Sequence, residues 1–176
     1  MSIETLKREI QERFTERDIS HCSYDDDNDV ILVKSEIVSF DFDEICQDIV
    51  AEMERVSKKP KSFDALYINV PDKVGFVEFK NSDWSGISKE RLKNKIYDTL
   101  ALIISEYGLS KSDLNNVKIY LVHRPDKSAS PTHMWMNGKC PPEYKFIEET
   151  SGVEIMRYDA STFETYVNRH NKLPNL

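Results

Sequence analysis

This chain of 176 residues is poor in glycine, with five, and in cysteine, with three. It has no excess of positive charge and no apolar run long enough to cross a bilayer. Each shortage excludes something. Cys22, Cys46 and Cys140 are odd in number, widely separated and form no CxxC pair, so they suggest neither a disulfide framework nor a zinc knuckle. His21 beside Cys22, and His133 near Cys140, are ordinary scattered residues on that count. No glycine-rich or aromatic binding loop is present. Acidic residues outnumber basic ones by 31 to 24, a formal net charge of −7, which counts against a protein that coats nucleic acid. It does not exclude an enzyme acting on a polyanion, because a bound divalent cation and a local lysine cluster can reverse the field in one cleft. The first residues, MSIETLKREIQERF, lack the apolar centre of a signal peptide. A cytoplasmic protein with no membrane association is expected.

What is present suits one soluble domain: 39% hydrophobic and 31% charged residues, in a length that can bury a substantial core. Ile3, Leu6, Ile10 and Phe14 recur at helical spacing and predict a helix over about 2–17. ISHCSY and DVILVKS read as two strands joined by an acidic turn, Asp25-Asp26-Asp27-Asn28-Asp29. Asp25, Asp27, Asp29 and Glu36 fall at calcium-loop spacing, but Val30 stands where that loop needs glycine, so a solvated hairpin tip is expected. Ile45, Ile49, Met53 and Val56 predict a helix over 43–57, begun by acids and stopped by SKKPKS. A long helix runs from Lys89 to Tyr107, between an N-cap at Ser88 and a stop at Gly108. VKIYLVH at 117–123 reads as a buried strand, Arg124 to Glu143 as an irregular excursion, and VEIMRY as a strand. A closing helix is opened by the capping box Ser161-Thr162-Phe163-Glu164. The fold class expected is α/β (α+β), a central mixed sheet flanked by helices. Its core spans about 43–123, with a helix and hairpin at 1–40 before it and an extension at 124–176 after it.

The strongest chemical signal lies in two short apolar runs, SFDALYINV and VGFVEFKN. The turn Pro71-Asp72-Lys73 joins them as a hairpin with a loop of about three residues. Pairing Val70 with Val74 sets Ile68 opposite Phe76, Leu66 opposite Glu78 and Asp64 opposite Lys80. Side chains alternate along a strand and opposed residues share a face, so Asp64, Glu78 and Lys80 project from one side. Parity matters here: a loop one residue shorter or longer would send Asp64 to the other face. Two converging carboxylates offer oxygen ligands to a hard cation, and an ammonium beside them can handle a phosphate or a water. That is the composition of a metal-dependent phosphodiesterase site. A structural hairpin with polar positions facing solvent would read the same in this short window.

An apolar strand with Asp64, a turn, a strand ending Glu78-Phe79-Lys80, then the helix KERLKNKIYDTLALIISEY and the strand VKIYLVH resemble the PD-(D/E)XK nuclease superfamily, which has a restriction-endonuclease-like fold. The resemblance covers roughly 43–123. It implies that Asp64 and Glu78 ligate a divalent cation, Mg2+ or Mn2+, with the backbone carbonyl of Phe79 completing the site. Lys80 would orient or activate water and stabilise charge on the phosphate. A supporting acid from the preceding helix would be Glu52, the acid nearest that helix's apolar stripe. Lys89 and Lys93, one turn apart on the following helix, would touch the phosphate backbone. Two departures stand out. Phe63 replaces the usual proline before the first acid, and SKKPKS leaves no room for the strand that commonly precedes the Asp strand. Either the sheet is shortened, or DVILVKS fills that slot and the second helix is an insertion that carries Glu52 away.

The function expected is hydrolysis of phosphodiester bonds in DNA by in-line attack of water. The alternative is a catalytically inactive scaffold of the same fold, serving as an interaction or accessory module, since fold alone does not fix function. Nucleic acid is the expected partner, and a homodimer is compatible with the sequence.

Overall fold

The computed structural model describes residues 2–53, 60–70, 73–125 and 136–170. It is a mixed α/β fold. The chain opens with α1 (Ile3–Arg13), β1 (Arg17–Asp18), the short α2 (Ile19–Cys22) and a minimal hairpin, β2 (Tyr24–Asp25) and β3 (Val30–Ile31). Next come β4 (Val38–Asp41), α3 (Phe42–Glu52), β5 (Ala65–Val70) and β6 (Lys73–Lys80). A 3-10 turn at Trp84–Gly86 leads into α4 (Lys89–Tyr107), α5 (Lys111–Leu114) and β7 (Val117–His123). A second 3-10 turn, α6 (Lys145–Ser151), β8 (Glu154–Asp159) and α7 (Ala160–His170) complete it. Six strands form one sheet in the order β1-β4-β5-β6-β7-β8. The β1-β4, β4-β5 and β5-β6 pairs are antiparallel, while β6-β7 and β7-β8 are parallel.

Both faces of the sheet are covered, and the alternation of each strand sorts its residues between two cores. Leu66, Val74, Phe76, Ile119 and Ile155 pack beneath α1, α3 and α4. Tyr67, Val77, Tyr120, Val122 and Tyr158 pack against α7 and the segment around α2. The crossover helix α4 is capped as its sequence implies. The Ser88 hydroxyl accepts from the Arg91 N–H at 3.3 Å, and Gly108 ends the helix at φ 56°, a left-handed conformation that glycine adopts without cost.

Several sequence expectations are corrected. The helix around Ile45 stops at Glu52, and Val56 lies outside the described residues. ISHCSY forms a helical turn instead of a strand, because the Asp18 side chain caps it by accepting from the His21 N–H at 2.6 Å. The paired part of the acidic hairpin shrinks to two residues per strand. Its tip is no cation loop: Asp25 accepts from Asn28 and from Asn81, both at 2.9 Å. Strand β4, unassigned from the sequence, fills the slot before the Asp64 strand in place of DVILVKS, which pairs only in the separate β2–β3 hairpin, so α3 is the inserted helix. Helix α6, just beyond the irregular excursion, falls in a stretch the sequence left unassigned; residues 126–135 of the excursion, His133 included, lie outside the described residues. At α7 the cap is Asp159, whose Oδ1 accepts from the Thr162 N–H at 2.9 Å. Glu164 instead accepts from the Lys34 N–H at 2.9 Å.

The β5–β6 register is also corrected, and the correction preserves parity. Val70 pairs with Lys73, one residue tighter than expected, and that alone would turn Asp64 to the far face. A register shift between Tyr67 and Val70 undoes it, so that Leu66 pairs with Phe76 and Ala65 with Val77. The Asp64 N–H donates to the Val77 carbonyl at 3.0 Å, and continuing the ladder sets Asp64 opposite Glu78. Gly75 sits in this hairpin beneath Tyr120; a Cβ there would lie 2.7 Å from Tyr120 Cε2, a ring with no solvent exposure. Gly75→Ala is therefore expected to lower the unfolding free energy by about 1–3 kcal/mol, read from the urea midpoint.

Candidate functional site

Asp64 lies just before β5 and Lys80 ends β6. Because β5 runs against β6, both come to one end of the sheet, where the parallel strands β6, β7 and β8 finish. Ligands of open α/β sheets bind outside the carboxyl ends of such strands. Glu78 faces the α4 side with Phe76 and has no solvent exposure.

A buried carboxylate needs compensation, and two ammoniums provide it. Lys80 Nζ lies 2.5 Å from Glu78 Oε1. Lys95, on α4, reaches Oε1 at 2.8 Å and Oε2 at 2.7 Å. The same Lys95 Nζ is 3.6 Å from Asp64 Oδ1, so one positive charge stands between the two carboxylates. Asp64 is further held by the Phe79 N–H, which donates to Oδ2 at 2.6 Å. Burial, with the negative Glu78 alongside, pushes the Asp64 carboxyl up to about 7. Burial works against the Lys95 charge, but Glu78 and Asp64 outweigh it and raise its pKa.

Asp64, Glu78 and Lys80 are thus brought together on one face. Glu52 is not among them. It sits at the far end of α3, more than half exposed, bound by Arg13 at 2.8 Å. The acids that α3 presents to this end are at its start. Asp41 caps the helix by accepting from the Glu44 N–H at 3.0 Å, and Asp43 accepts from the Ser62 hydroxyl. Lys89 is also turned away: its ammonium stacks 3.9 Å from the Trp84 ring centre and donates to the Trp84 and Ile87 carbonyls. Lys93 lies outside both clefts that meet at the site. The charged α4 side chains that line the site are Arg91 and Lys95.

Helix geometry explains the substitution. At about 100° per residue, Lys89 and Lys93 border the buried stripe on one side while Arg91 and Lys95 border it on the other. Periodicity locates the stripe but does not say which border faces the hairpin. Lys61 was missed as well. Its backbone N–H is pinned to Asp98 of α4 at 2.9 Å, which brings it to the same cleft. Trp84, partly buried, packs against the core, with the Arg157 guanidinium 4.6 Å from its ring centre.

Two clefts meet at Lys80 and Ser82. One, of about 430 Å³, is basic: among the described residues it has Lys61, Lys80, Arg91 and Lys95 around the single acid Glu78. Among the described residues, the other, of about 700 Å³, holds Asp25, Asp26, Asp27, Asp41, Asp43 and Asp64 against Lys80 and the imidazole of His21. Among the described residues, no group of three or more His, Cys, Asp or Glu side chains is gathered tightly enough to hold a metal ion. Two carboxylates and a carbonyl are still a workable set for Mg2+, which keeps several of its own waters. The shared ammonium of Lys95 shows that the space between Asp64 and Glu78 favours positive charge.

The raised Asp64 pKa has a consequence for stability. Between about pH 3.8, the ordinary value, and about pH 7, the unfolded chain has released this proton while the folded chain keeps it. Stability from this group therefore falls as pH rises through that window and is lowest above it. Asp64→Asn should be more stable than the wild type at pH 8, by about 1–2 kcal/mol given that a quarter of the side chain remains exposed, and the margin should vanish near pH 4. Urea melts at the two pH values test this; a margin that grows towards low pH would contradict it.

No family model, no curated protein and no solved structure matches this chain, so its function is argued from the chemistry of this site.

Proposed function

We propose that the chain is a metal-dependent phosphodiester hydrolase acting on nucleic acid, of the PD-(D/E)XK type, with DNA the expected substrate. One observation carries the reading: two converging carboxylates, one fully buried, share a lysine ammonium at the carboxyl end of the sheet beside a cleft lined by basic side chains. The order of elements supports it. With β4 in place, the Asp64 strand is preceded by another, and the Glu-x-Lys strand is followed by a helix and a parallel strand.

Asp64, Glu78 and the Phe79 carbonyl would hold Mg2+ or Mn2+, which supplies stabilisation of the charge developing on the phosphate oxygens. The residues of the chain do the rest. Lys80, half-exposed and tethered to Glu78, orients the attacking water and meets the negative charge of the transition state. Lys95, whose ammonium holds the place between the carboxylates and which also lines the basic cleft, would yield that place to the cation. Arg91 and Lys61 hold the phosphate chain in line with the water.

The saturation of Glu78 by two lysines also favours a second reading, a scaffold of the same shape that binds partners without catalysis. Manganese separates the two. Titration calorimetry with Mn2+ should show binding that Asp64→Asn abolishes. Lys95→Met, which removes the tethered competitor, should tighten binding by about tenfold, the worth of one modest charge interaction. DNA cleavage should require Mn2+ or Mg2+ and be lost in Lys80→Ala, with metal affinity and circular dichroism little changed. No Mn2+ binding by either the wild type or Lys95→Met would establish the scaffold instead.

A further inference from the structure

The two clefts differ in sign, and the difference bears on where along a strand the site works. A strand cut internally must pass phosphates out of both sides of the reaction centre. Here one side is built for that and the other is not. On the basic side, four cations surround one acid that is itself neutralised. On the other side Asp25, Asp26, Asp27, Asp41 and Asp43 join Asp64 around Lys80 and His21. That side is also walled. The β2–β3 hairpin folds across it, carrying Asp25, Asp26 and Asp27, and is tied to the catalytic hairpin by the bond from Asn81 to Asp25, one residue beyond Lys80. Phosphates spaced along a continuing strand would have to run past this wall at close range, where like charges repel.

A nucleoside without a further phosphate meets no such barrier. The acidic cleft, at about 700 Å³, falls within the size of small-ligand pockets. Its walls include Cys22, Tyr24 and Leu32 as well as the carboxylates, so it offers both packing surface and acceptors for the amino and hydroxyl groups of a base and sugar.

We infer that the site acts at the end of a strand, with the phosphate chain in the basic cleft and the terminal nucleoside in the acidic one. This rests on the phosphodiesterase reading above and narrows its substrate to nucleic acid with a free end.

The test compares one single-stranded DNA oligonucleotide in two forms, linear and ligated into a circle, with a hairpin-closed duplex and its open counterpart as a second pair. Binding is read by fluorescence anisotropy in Ca2+, and cleavage in Mn2+. The linear or open form should bind at least about tenfold tighter and lose its label stepwise from one end, with the closed forms left intact. Asp26→Asn with Asp27→Asn, both at the exposed hairpin tip, should bring the affinity for the circle towards that for the linear strand. Lys61→Ala and Arg91→Ala should each weaken linear binding and flatten its salt dependence. Equal binding and cutting of closed and open forms would overturn the end-directed inference and leave the phosphodiesterase reading standing. Binding of no form, with or without the aspartate substitutions, would overturn both.

Discussion

A carboxylate with no access to water cannot stay ionised in a protein core without positive charge beside it, and Glu78 is such a group. Lys80 reaches it along its own strand, and Lys95 reaches it from the crossover helix. The Lys95 contact joins the hairpin to α4, fixing which edge of the helix lies over the sheet. Arg91 follows one turn away, and Lys61 follows because its backbone is anchored on the same helix. The distribution of charge around the site therefore descends from one buried acid and the two ammoniums that neutralise it. Replacing such a cluster by apolar residues of similar volume is often no loss in stability, so its retention fits a site that has to hold charge for another purpose.

A second polar cluster closes the same end of the sheet without entering the chemistry. His123 and Arg157 are almost fully buried at the ends of β7 and β8. The Arg157 Nε–H donates to His123 Nε2 at 2.9 Å, which obliges that nitrogen to carry a lone pair. Nδ1 then donates to the Arg124 carbonyl at 2.7 Å. The imidazole is held neutral and in one tautomer, with Trp84 packed beside both partners. In the register, His123 pairs with Lys80, so this cluster braces the strand end from which the lysine projects.

How much of this was legible in the sequence depended on whether a local pattern or a distant partner decided the outcome. The α4 boundaries, the strand at 117–123 and the shared face of Asp64, Glu78 and Lys80 were readable, since caps, periodicity and alternation are local. Strand β4 was not: four residues, Val38–Asp41, are too few for alternation to stand out, and their pairing with β5 forms only after α3 is bridged. Lys95 and Arg91 were passed over because both borders of the α4 stripe carry cations, and only the approach of the hairpin distinguishes them. Glu52 was chosen for its nearness to an apolar stripe, yet the opposite end of α3 faces the site. Periodicity gives an angle around a helix axis and says nothing about position along it.

The bulge in β5 has an implication for how this hairpin tolerates change in length. The tight pairing of Val70 with Lys73 and the register shift before it are two errors of parity that cancel. Genetically they behave like a pair of opposed frameshifts. Deleting one residue at the bulge would invert the strand from Tyr67 back to Asp64, and inserting one in the turn would do the same. Made together, the two lesions would restore the reading of every side chain beyond them. The chain can therefore trade residues between turn and strand, provided the two changes cancel, without moving either carboxylate from its face.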